Sequence, residues 1–472
     1  MSRALAPVRV HDTLSRELRE VTPGMDGILR FYACGPTIHD LPHVGNARLF
    51  TWQDLFKRVL RARGYEVLDV MNVTDIEDKI IERSRAAGID VTDPSRLPEF
   101  TARFESAFLD DLKALRVLRP AFMPRATEFV PRMLELVQRL VERGHAYESD
   151  GSVYFSVASL PGYGKLSHLE ARETVAGARV AADEYDKDDV RDFVLWKASK
   201  PGEPRWTSPW GDGRPGWHIE CSAMAMDCLG SETIDVHVGG EDLVFPHHED
   251  EIAQSEAATG KPFVRCWLHS AHLLVDGRKM SKSEGNFFTL RDLLAKGFTG
   301  RELRYALVSV HYRLPLNFTL ENLEAARQTL RRLDAWAERL REKAGGATAD
   351  ASKPGSLAAA FSGALDADLN ISDALGNLFE ALRESNRRMD GNELGAKDAA
   401  ELWRDWKAVE RVLGLPASDP AGAPPEIAAL AEERKAARQA KNWKRSDELR
   451  DTIHAKGWSV KDSPEGYKLT KL

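Results

Sequence analysis

The chain has 472 residues, of which 43% are hydrophobic, 8% aromatic and 29% charged, and this is typical of a globular protein of two to four domains. No run approaches the roughly 18 consecutive apolar residues of a membrane-spanning helix, and the N-terminus lacks the apolar segment of a secretory signal. The formal net charge of −7 excludes a uniformly basic surface but not a local patch that binds nucleic acid. Four cysteines in so long a chain do not form a disulfide framework. We therefore expect a cytoplasmic protein whose thiols bind metal or take part in catalysis.

The N-terminal region predicts a βαβ unit over residues 28–73. ILRFYA is a short buried strand, apolar residues from Leu49 to Leu60 recur at helical spacing, Gly64 ends the helix, and YEVLDVMNV is the next strand. Such a unit implies a parallel sheet that binds ligands at the carboxyl ends of its strands. The predicted fold class is therefore α/β, with a Rossmann-type doubly wound sheet.

The segment CGPTIHDLPHVGN, residues 34–46, joins the first of these strands to the helix. An ordinary connection of this kind needs a turn glycine and a helix cap. This one holds a cysteine, two histidines, two prolines and two glycines. Because it starts at the carboxyl end of a parallel strand, it is predicted to belong to a functional site.

Farther along the chain, mixed patterns give way to helices. Residues 97–145 are predicted to be mainly helical, and GSVYFSV with the Gly/Pro-rich 161–164 indicates an insertion that carries strands. Strand patterns return in TIDVHV and WLHSAHLLV, and from about Leu290 nearly all of the pattern is helical. Two linkers, AGGATADASKPGS and LPASDPAGAPPE, interrupt the helical region.

The last segment, residues 427–472, differs from the rest in charge. It holds 11 Lys and Arg against 7 Asp and Glu, a net +4, so the remainder of the chain carries −11. Trp443, Trp458 and Tyr467 stand among these basic residues. Small nucleic-acid modules place basic groups on phosphates and aromatic rings on bases. A solvated helix with a few surface aromatics is the alternative interpretation.

Near residue 280 the chain reads LLVDGRKMSKSEGNFF, a strand and an Asp-Gly turn followed by two lysines and two serines. These side chains on a loop suit a polyanion such as a triphosphate. An exposed polar loop without a ligand is the alternative.

Two cysteines, a histidine and a glutamate form a further candidate group: Cys34, Cys221, His247 and Glu251. Two thiolates, an imidazole and a carboxylate make a plausible tetrahedral zinc set. Pro246 suits the first turn of a helix, on which His247 and Glu251 would share one face. By spacing alone, a buried structural cysteine and a His/Glu pair on a helix surface explain these residues equally well.

The motifs together resemble those of class I aminoacyl-tRNA synthetases, whose signatures are a HIGH-type tetrapeptide, here HVGN, and KMSKS. Within this class the chain resembles the cysteinyl-tRNA synthetases over nearly its full length. The resemblance is carried, in order, by CGPT, HVGNAR, NVTDIEDKI, PRATE, GWHIECSAM, GGEDLVFPHHEDEIAQ, KMSKS and a basic C-terminal domain.

The resemblance implies roles for individual residues. Zinc is expected at Cys34, Cys221, His247 and Glu251; catalytic charge stabilisation at His43, Asn46, Lys279 and Lys282; ATP at Pro36, His43, Gly45, Asn46, Lys279, Met280, Ser281, Lys282 and Ser283; and cysteine at Gly35, Thr74, Trp217 and Asp242. Asn46 replaces the last histidine of the HIGH signature, and its amide still donates a hydrogen bond. Cys228 and Cys266 match no ligand position and are expected in the core. His248 is expected beside the ligands or on an exposed face.

The resemblance also implies an ATP-dependent cysteine–tRNA ligase that uses one zinc ion, with Mg²⁺ accompanying ATP. Its expected partners are tRNA, L-cysteine and ATP, and a monomer in the cytoplasm is expected. The expected domains are two catalytic halves (1–120 and 210–290), an insertion (121–209), stem-contact helices (291–345), a helical tRNA-binding bundle (346–420) and an anticodon module (427–472).

Two other functions fit part of the pattern. A ligase that joins cysteine to an amino sugar in mycothiol synthesis resembles the chain in its zinc ligands and ATP motifs, but we expect it to lack the basic C-terminal module. A catalytically silent RNA-binding paralogue would not need both His43 and KMSKS. Cysteine-dependent pyrophosphate exchange distinguishes the silent paralogue from either enzyme.

Overall fold

The structure is a computed structural model that describes residues 7–168, 192–280, 285–350, 354–416, 425–440, 442–463 and 466–471. The chain divides into a larger unit, residues 1–415, and a smaller unit, residues 416–472. No helix within the described ranges is long and apolar enough to cross a membrane.

The larger unit begins with strands and helices in alternation. In chain order these are β1 (Arg9–Asp12), β2 (Glu17–Glu20), β3 (Ile28–Ala33), α1 (Val44–Ala62), β4 (Glu66–Met71), α2 (Asp78–Ala86), α3 (Pro98–Ala114) and α4 (Val130–Glu142). The predicted βαβ unit is thus β3, α1 and β4. Helix α1 starts five residues before the first apolar residue of its periodic pattern.

An antiparallel sheet follows. Its strands are β5 (Ala146–Ser149), β6 (Ser152–Phe155), β7 (Phe193–Ala198), β8 (Trp206–Ser208) and β9 (Gly211–Pro215), in the spatial order β5-β6-β7-β9-β8. The loop at 161–164 follows β6 and a short turn at Val157–Ser159. The strand-bearing insertion predicted from GSVYFSV is therefore present.

The chain then returns to the first sheet. The elements are α5 (Trp217–Leu229), β10 (Ile234–Gly240), α6 (Glu249–Thr259), β11 (Val264–Ser270), β12 (Leu273–Val275) and β13 (Arg278–Lys279). Strands β11, β10, β3 and β4 make one sheet in that order, and every pair in it is parallel. The chain runs outward from β3 to β4 and from β10 to β11, so strand order reverses between β3 and β10. This is the point at which doubly wound sheets bind ligands.

Helices dominate the rest of the larger unit, as the sequence predicts. They are α7 (Leu290–Ala295), α8 (Gly300–Val308), α9 (Leu320–Ala344), α10 (Ser356–Leu365), α11 (Ile371–Asp390) and α12 (Ala396–Leu413), with one short strand, β14 (Leu316–Phe318), after α8. The buried indoles of Trp336 on α9 and Trp406 on α12 meet edge to face, 5.7 Å apart. This apolar contact holds α9 and α12 together.

Helix α1 is the centre of the larger unit's core, and most of its residues are buried. Its Asp54 forms an ion pair of 2.6 Å with Arg304 on α8, and both side chains are fully buried. Arg304 also donates to the carbonyl oxygens of Leu115 and Leu413, at the ends of α3 and α12. One guanidinium therefore joins the helix after β3 to three other helices.

The smaller unit consists of α13 (Pro425–Gln439), α14 (Trp443–Ala455) and a hairpin of β15 (Trp458–Ser463) and β16 (Gly466–Lys471). Ile427, Ala431, Ile453 and Val460 form its apolar core. The overall architecture agrees with the predicted fold class, a parallel α/β domain with an insertion, a helical region and a small terminal module.

Candidate functional site

The main cavity of the larger unit lies at the carboxyl edge of the parallel sheet. It measures about 780 Å³. Its lining includes Cys34 after β3, Gly240 at the end of β10 and Ser270 at the end of β11. The cavity is therefore located where the change in strand order places a ligand.

The four residues predicted to bind metal meet beside this cavity, and Cys34 is the one of them that lines it. Their ligand atoms all lie within 4.8 Å of one another, and all four side chains are buried. Cys34 Sγ is 3.9 Å from Cys221 Sγ and 4.0 Å from Glu251 Oε1, and His247 Nε2 is 3.0 Å from Glu251 Oε1. A zinc tetrahedron with bonds of about 2.0 to 2.3 Å has edges of roughly 3.3 to 3.8 Å. Donor type therefore fits zinc, and the three distances lie within about 0.3 Å of these edges.

Opposite charges within this donor group shift one another's pKa values. Burial raises the pKa of Cys34 well above its usual value, while the hydrogen bond from Cys34 lowers the pKa of Cys221 to about 6. Burial opposes protonation of His247, but the Cys221 thiolate and Glu251 raise its pKa to about 10. Burial also works against the Glu251 anion, yet His237 and His247 lower the pKa of Glu251 to about 2. Two anionic donors are thus held beside one cation, and a divalent metal can take the place of that imidazolium proton.

The predicted helix carrying His247 and Glu251 begins later than expected. Helix α6 starts at Glu249, so Pro246 is not in its first turn, and His247 lies in a wider turn of residues 244–248. Phe245 has extended backbone angles (φ −140°, ψ 130°), which interrupt the helical path. The wide turn still brings His247 against Glu251.

His248 is fully buried, which agrees with the expected place beside the ligands and not with the alternative of an exposed face. Its Nε2 lies 3.3 Å from Cys34 Sγ and its Nδ1 lies 2.7 Å from His269 Nε2. His237 Nε2 donates to Glu251 Oε2 at 3.0 Å, because the carboxylate can only accept. Cys34, His237, His248 and Glu251 thus form a second group with metal-binding spacing. One signal for this cluster was available in the sequence, since six of the 13 histidines fall within residues 218–272.

The HVGN tetrapeptide forms the N-terminus of α1. His43 is the N-cap residue: its Nδ1 accepts from the Asn46 amide N–H at 3.2 Å, and Asn46 Oδ1 accepts from the His43 amide N–H at 3.1 Å. A Cβ on Gly45 would lie 2.9 Å from the His43 ring, so only glycine leaves that ring its position. His43, Gly45, Asn46 and Pro36 all line the cavity.

The described ends of the KMSKS loop lie against the same tetrapeptide. Lys279 and Met280 line the cavity, and the Met280 methyl is 3.4 Å from where a Gly45 Cβ would stand. On the far side of the loop, Phe287 meets the His43 ring edge to face, with ring centres 5.5 Å apart. Ser281, Lys282 and Ser283 lie outside the described residues.

Gly35 is required by a close backbone approach. A Cβ there would lie 1.7 Å from the Asn72 carbonyl oxygen. The Gly35 amide N–H donates to Asn72 Oδ1 at 2.8 Å, Asn72 Nδ2 donates to Thr74 Oγ1 at 3.2 Å, and Thr74 Oγ1 donates to Glu220 Oε2 at 2.9 Å. Thr74 is buried behind the cavity wall and is not among the residues that line it. Asn72 and Glu220 belong to this series of hydrogen bonds, and neither was predicted from the sequence.

Trp217 and Asp242 line the cavity on its other side. The Trp217 indole is 41% exposed and covers the His247 ring, with ring centres 4.4 Å apart. Asp242 follows β10, where a Cβ on Gly240 would approach its Oδ1 to 2.4 Å. Cys266 is in the core, as expected, whereas Cys228 is half-buried, and all four cysteines are free thiols.

Sequence families match most of the chain. The class I tRNA synthetase (C) catalytic domain matches residues 20–328, the DALR domain matches residues 360–417, and the cysteinyl-tRNA ligase anticodon binding domain matches residues 421–467. A cysteine–tRNA ligase of Solibacter usitatus is 46% identical over 467 residues, covering 98% of this chain and 99% of the relative. One of Chlamydia muridarum is 45% identical over 479 residues, with 98% and 99% covered.

Solved structures share the fold at low identity. A methionyl-tRNA synthetase of Mycobacterium tuberculosis in complex with methionyl-adenylate superposes with a TM-score of 0.58 at 17% identity, over 82% of this chain and 89% of that one. At this identity the likeness concerns the architecture alone.

Proposed function

The chain belongs to the family of cysteine–tRNA ligases, and we propose from this premise that its site selects cysteine through a bound zinc ion. The reaction has two steps. The carboxylate of cysteine attacks the α-phosphorus of ATP, which gives cysteinyl-adenylate and pyrophosphate. A hydroxyl of the 3′-terminal ribose of tRNA then attacks the acyl carbon of the adenylate, which forms the cysteinyl ester and releases AMP.

The observation that carries the proposal is the convergence of Cys34, Cys221, His247 and Glu251 in one buried group, which reaches the main cavity through Cys34. When bound there, zinc supplies a Lewis acid that favours a substrate thiolate over an alcohol, because coordination lowers the pKa of a thiol. A purely steric pocket discriminates poorly between near-isosteres such as serine and cysteine, by roughly 100-fold. Selection by metal would make a separate editing site in the insertion unnecessary.

The residues around the donor group hold the amino acid. Gly35 has no side chain, so its backbone can lie against Asn72 in the wall of the cavity. Thr74 supports that wall through Asn72. The exposed Asp242 carboxylate would pair with the substrate ammonium group, and the Trp217 indole would close one side of the pocket. The substrate carboxylate is then directed toward the part of the cavity lined by the HVGN tetrapeptide.

The phosphates of ATP, with their Mg²⁺, would bind at the N-terminus of α1. Backbone N–H groups and the helix dipole favour anions there. His43 and Asn46 would contact the phosphates directly, and Lys279 and Lys282 would stabilise the charge that develops as pyrophosphate leaves. Pro36, Gly45, Met280, Ser281 and Ser283 complete the proposed ATP contacts. Little covalent work falls to the protein, so its contribution is positioning and charge stabilisation.

The helical region after Leu290 would contact the tRNA stem, and residues 427–472 would bind the anticodon. Free thiols at all four cysteines suit a reducing cytoplasm, and we propose a monomer there.

Cobalt substitution tests the role of the metal. Adding cysteine to the cobalt-loaded protein should produce a sulfur-to-cobalt charge-transfer band beyond that of Cys34 and Cys221, and serine should produce none. An unchanged spectrum with cysteine bound would make the metal structural and would place discrimination elsewhere.

A further inference from the structure

Helix α6 opens with three consecutive carboxylates, and only one of them is a proposed metal ligand. Glu249, Asp250 and Glu251 are all buried, although each is a residue type that rarely lies away from water unless it is paired. Glu251 belongs to the donor group. The partners of the other two connect the insertion with the metal site.

Glu249 fastens a loop of the insertion to α6. Its carboxylate accepts from the amide N–H groups of Gly164, Leu166 and Ser167 at 2.8 to 3.0 Å, and from the Ser167 hydroxyl at 2.9 Å. Four donors on one carboxylate make this a tightly specified contact. The loop consequently brings the Tyr163 hydroxyl within 2.5 Å of Asp250 Oδ1, to which it donates.

The second oxygen of Asp250 faces a histidine of α5. Asp250 Oδ2 is 3.4 Å from His218 Nε2, and His218 Nδ1 is 2.8 Å from His247 Nδ1. Two Nδ1 atoms at this distance share one proton, so one ring donates and the other accepts. The direction of this contact determines which nitrogen of His247 has a lone pair for a metal.

The carboxylate sets that direction. Asp250 Oδ2 lies beyond ordinary N–H···O hydrogen-bond distance from His218 Nε2, but its negative charge at 3.4 Å favours a proton on that nitrogen, which leaves a lone pair on Nδ1. His247 then donates its Nδ1 proton to His218, and a metal would take the place of the proton that His247 Nε2 donates to Glu251 in the metal-free protein. Metal-bound histidines ordinarily donate their second ring N–H to a carboxylate or a carbonyl. Here the carboxylate acts one imidazole farther away.

We propose that Asp250, held by Tyr163, is a positioning residue that fixes the tautomer and the ring orientation of His247 through His218. This inference rests on the metal site proposed above. It gives the insertion a function in the chemistry of the site, since the loop that supplies Tyr163 is fastened beside the metal ligands by Glu249.

Three variants test the proposal in the full chain, with zinc affinity measured by competition against a chromophoric chelator. Asp250→Leu removes the acceptor and should weaken zinc binding by roughly 10- to 100-fold, as the loss of a partner behind a metal ligand commonly does. Asp250→Asn keeps a negatively polarised oxygen that faces His218 Nε2 and an amide that can donate to the Tyr163 oxygen, so it should retain most of the affinity. Tyr163→Phe keeps the carboxylate but loses its second donor, and it should weaken zinc binding less than Asp250→Leu.

The thermal midpoints of the metal-free proteins separate this effect from a loss of folding, and they should stay close to the wild-type value. Zinc binding by Asp250→Leu as tight as that of wild type would overturn the proposal, as would an asparagine variant as weak as the leucine variant. Should the leucine variant fail to fold, unchanged affinity in Tyr163→Phe would overturn it equally. A wild-type chain that binds no zinc would instead refute the metal site itself.

Discussion

At the scale of single residues, His43 has two functions that substitution can separate. It caps α1 through its Nδ1, and it lines the cavity where ATP phosphates are proposed to bind. Serine is among the preferred N-cap residues and can accept from the same Asn46 N–H. We expect His43→Ser to leave the free energy of unfolding within about 0.5 kcal/mol of wild type. Cysteine-dependent pyrophosphate exchange should fall by roughly 100-fold or more, because one charge-stabilising donor is lost.

The matched control is a cap outside the cavity. Thr319 caps α9 by accepting from the Asn322 N–H, and Thr319→Ala should cost about 1 kcal/mol of stability while exchange is unchanged. An active His43→Ser protein would show that the imidazole does not contact the phosphates.

The sequence alone predicted some residues of the site and not others. The donor group was predictable because thiol, imidazole and carboxylate are the side chains that bind zinc, and family motifs mark their positions. Asp250 and Tyr163 were not nameable in this way, since 87 residues separate them and a tyrosine in a Gly-rich loop has no pattern of its own. Thr74 is the opposite case. The family resemblance predicts that it binds cysteine, but its hydroxyl donates to Glu220 behind the wall of the cavity.

At the scale of secondary-structure elements, Arg304 is the residue that joins α8 to α1. Its removal leaves Asp54 buried with Arg58 and the Leu118 amide N–H as partners, and breaking a buried ion pair typically costs about 3 to 5 kcal/mol. We expect Arg304→Met to lower the free energy of unfolding by that amount in urea titrations at pH 7. The exposed pair Arg383–Glu380 on α11 is the control, and Arg383→Met should change stability little.

The stabilisation of the fold by the Asp54–Arg304 ion pair should depend on pH. Burial opposes the charge of Asp54, but Arg304 and Arg58 outweigh it and lower its pKa below the usual 3.8. The full stabilisation is therefore present above pH 3.8, and it is lost as the pH falls through the lowered pKa of Asp54. In Arg304→Met, protonation removes the charge of the buried Asp54 carboxylate. The difference between the unfolding free energies of wild type and variant should therefore decrease toward pH 4. Equal losses from Arg304→Met and Arg383→Met would contradict the account.

Elements with strong periodicity were predictable, and boundaries set by tertiary contacts were not. The strands ILRFYA and TIDVHV and the helices after residue 320 follow their apolar patterns closely. The start of α6 was placed too early because Pro246 suits a first helical turn, whereas Phe245 is extended and a wider turn intervenes. The three-residue strand β14 was missed, since it is defined by parallel pairing with β12 rather than by its own pattern.

At the scale of the whole molecule, the two compact units divide the proposed reaction. Every described residue assigned to zinc, ATP or cysteine lies in residues 1–415, while the basic module belongs to residues 416–472. Within the smaller unit, Trp443 is 56% exposed and Arg438 lies over its ring, 5.5 Å from the ring centre. An exposed indole beside a guanidinium suits stacking on an unpaired base.

Transfer of labelled cysteine to purified tRNA, in the full chain and in a chain ending at Leu415, tests the central claim most directly. Both proteins should support cysteine-dependent pyrophosphate exchange, and the full chain alone should charge tRNA efficiently, with a steep loss as salt releases its phosphate contacts. An amino-sugar acceptor in place of tRNA should receive no cysteine. Equal charging by the shortened chain would contradict the division between the units, and transfer to the amino sugar in preference to tRNA would contradict the function itself.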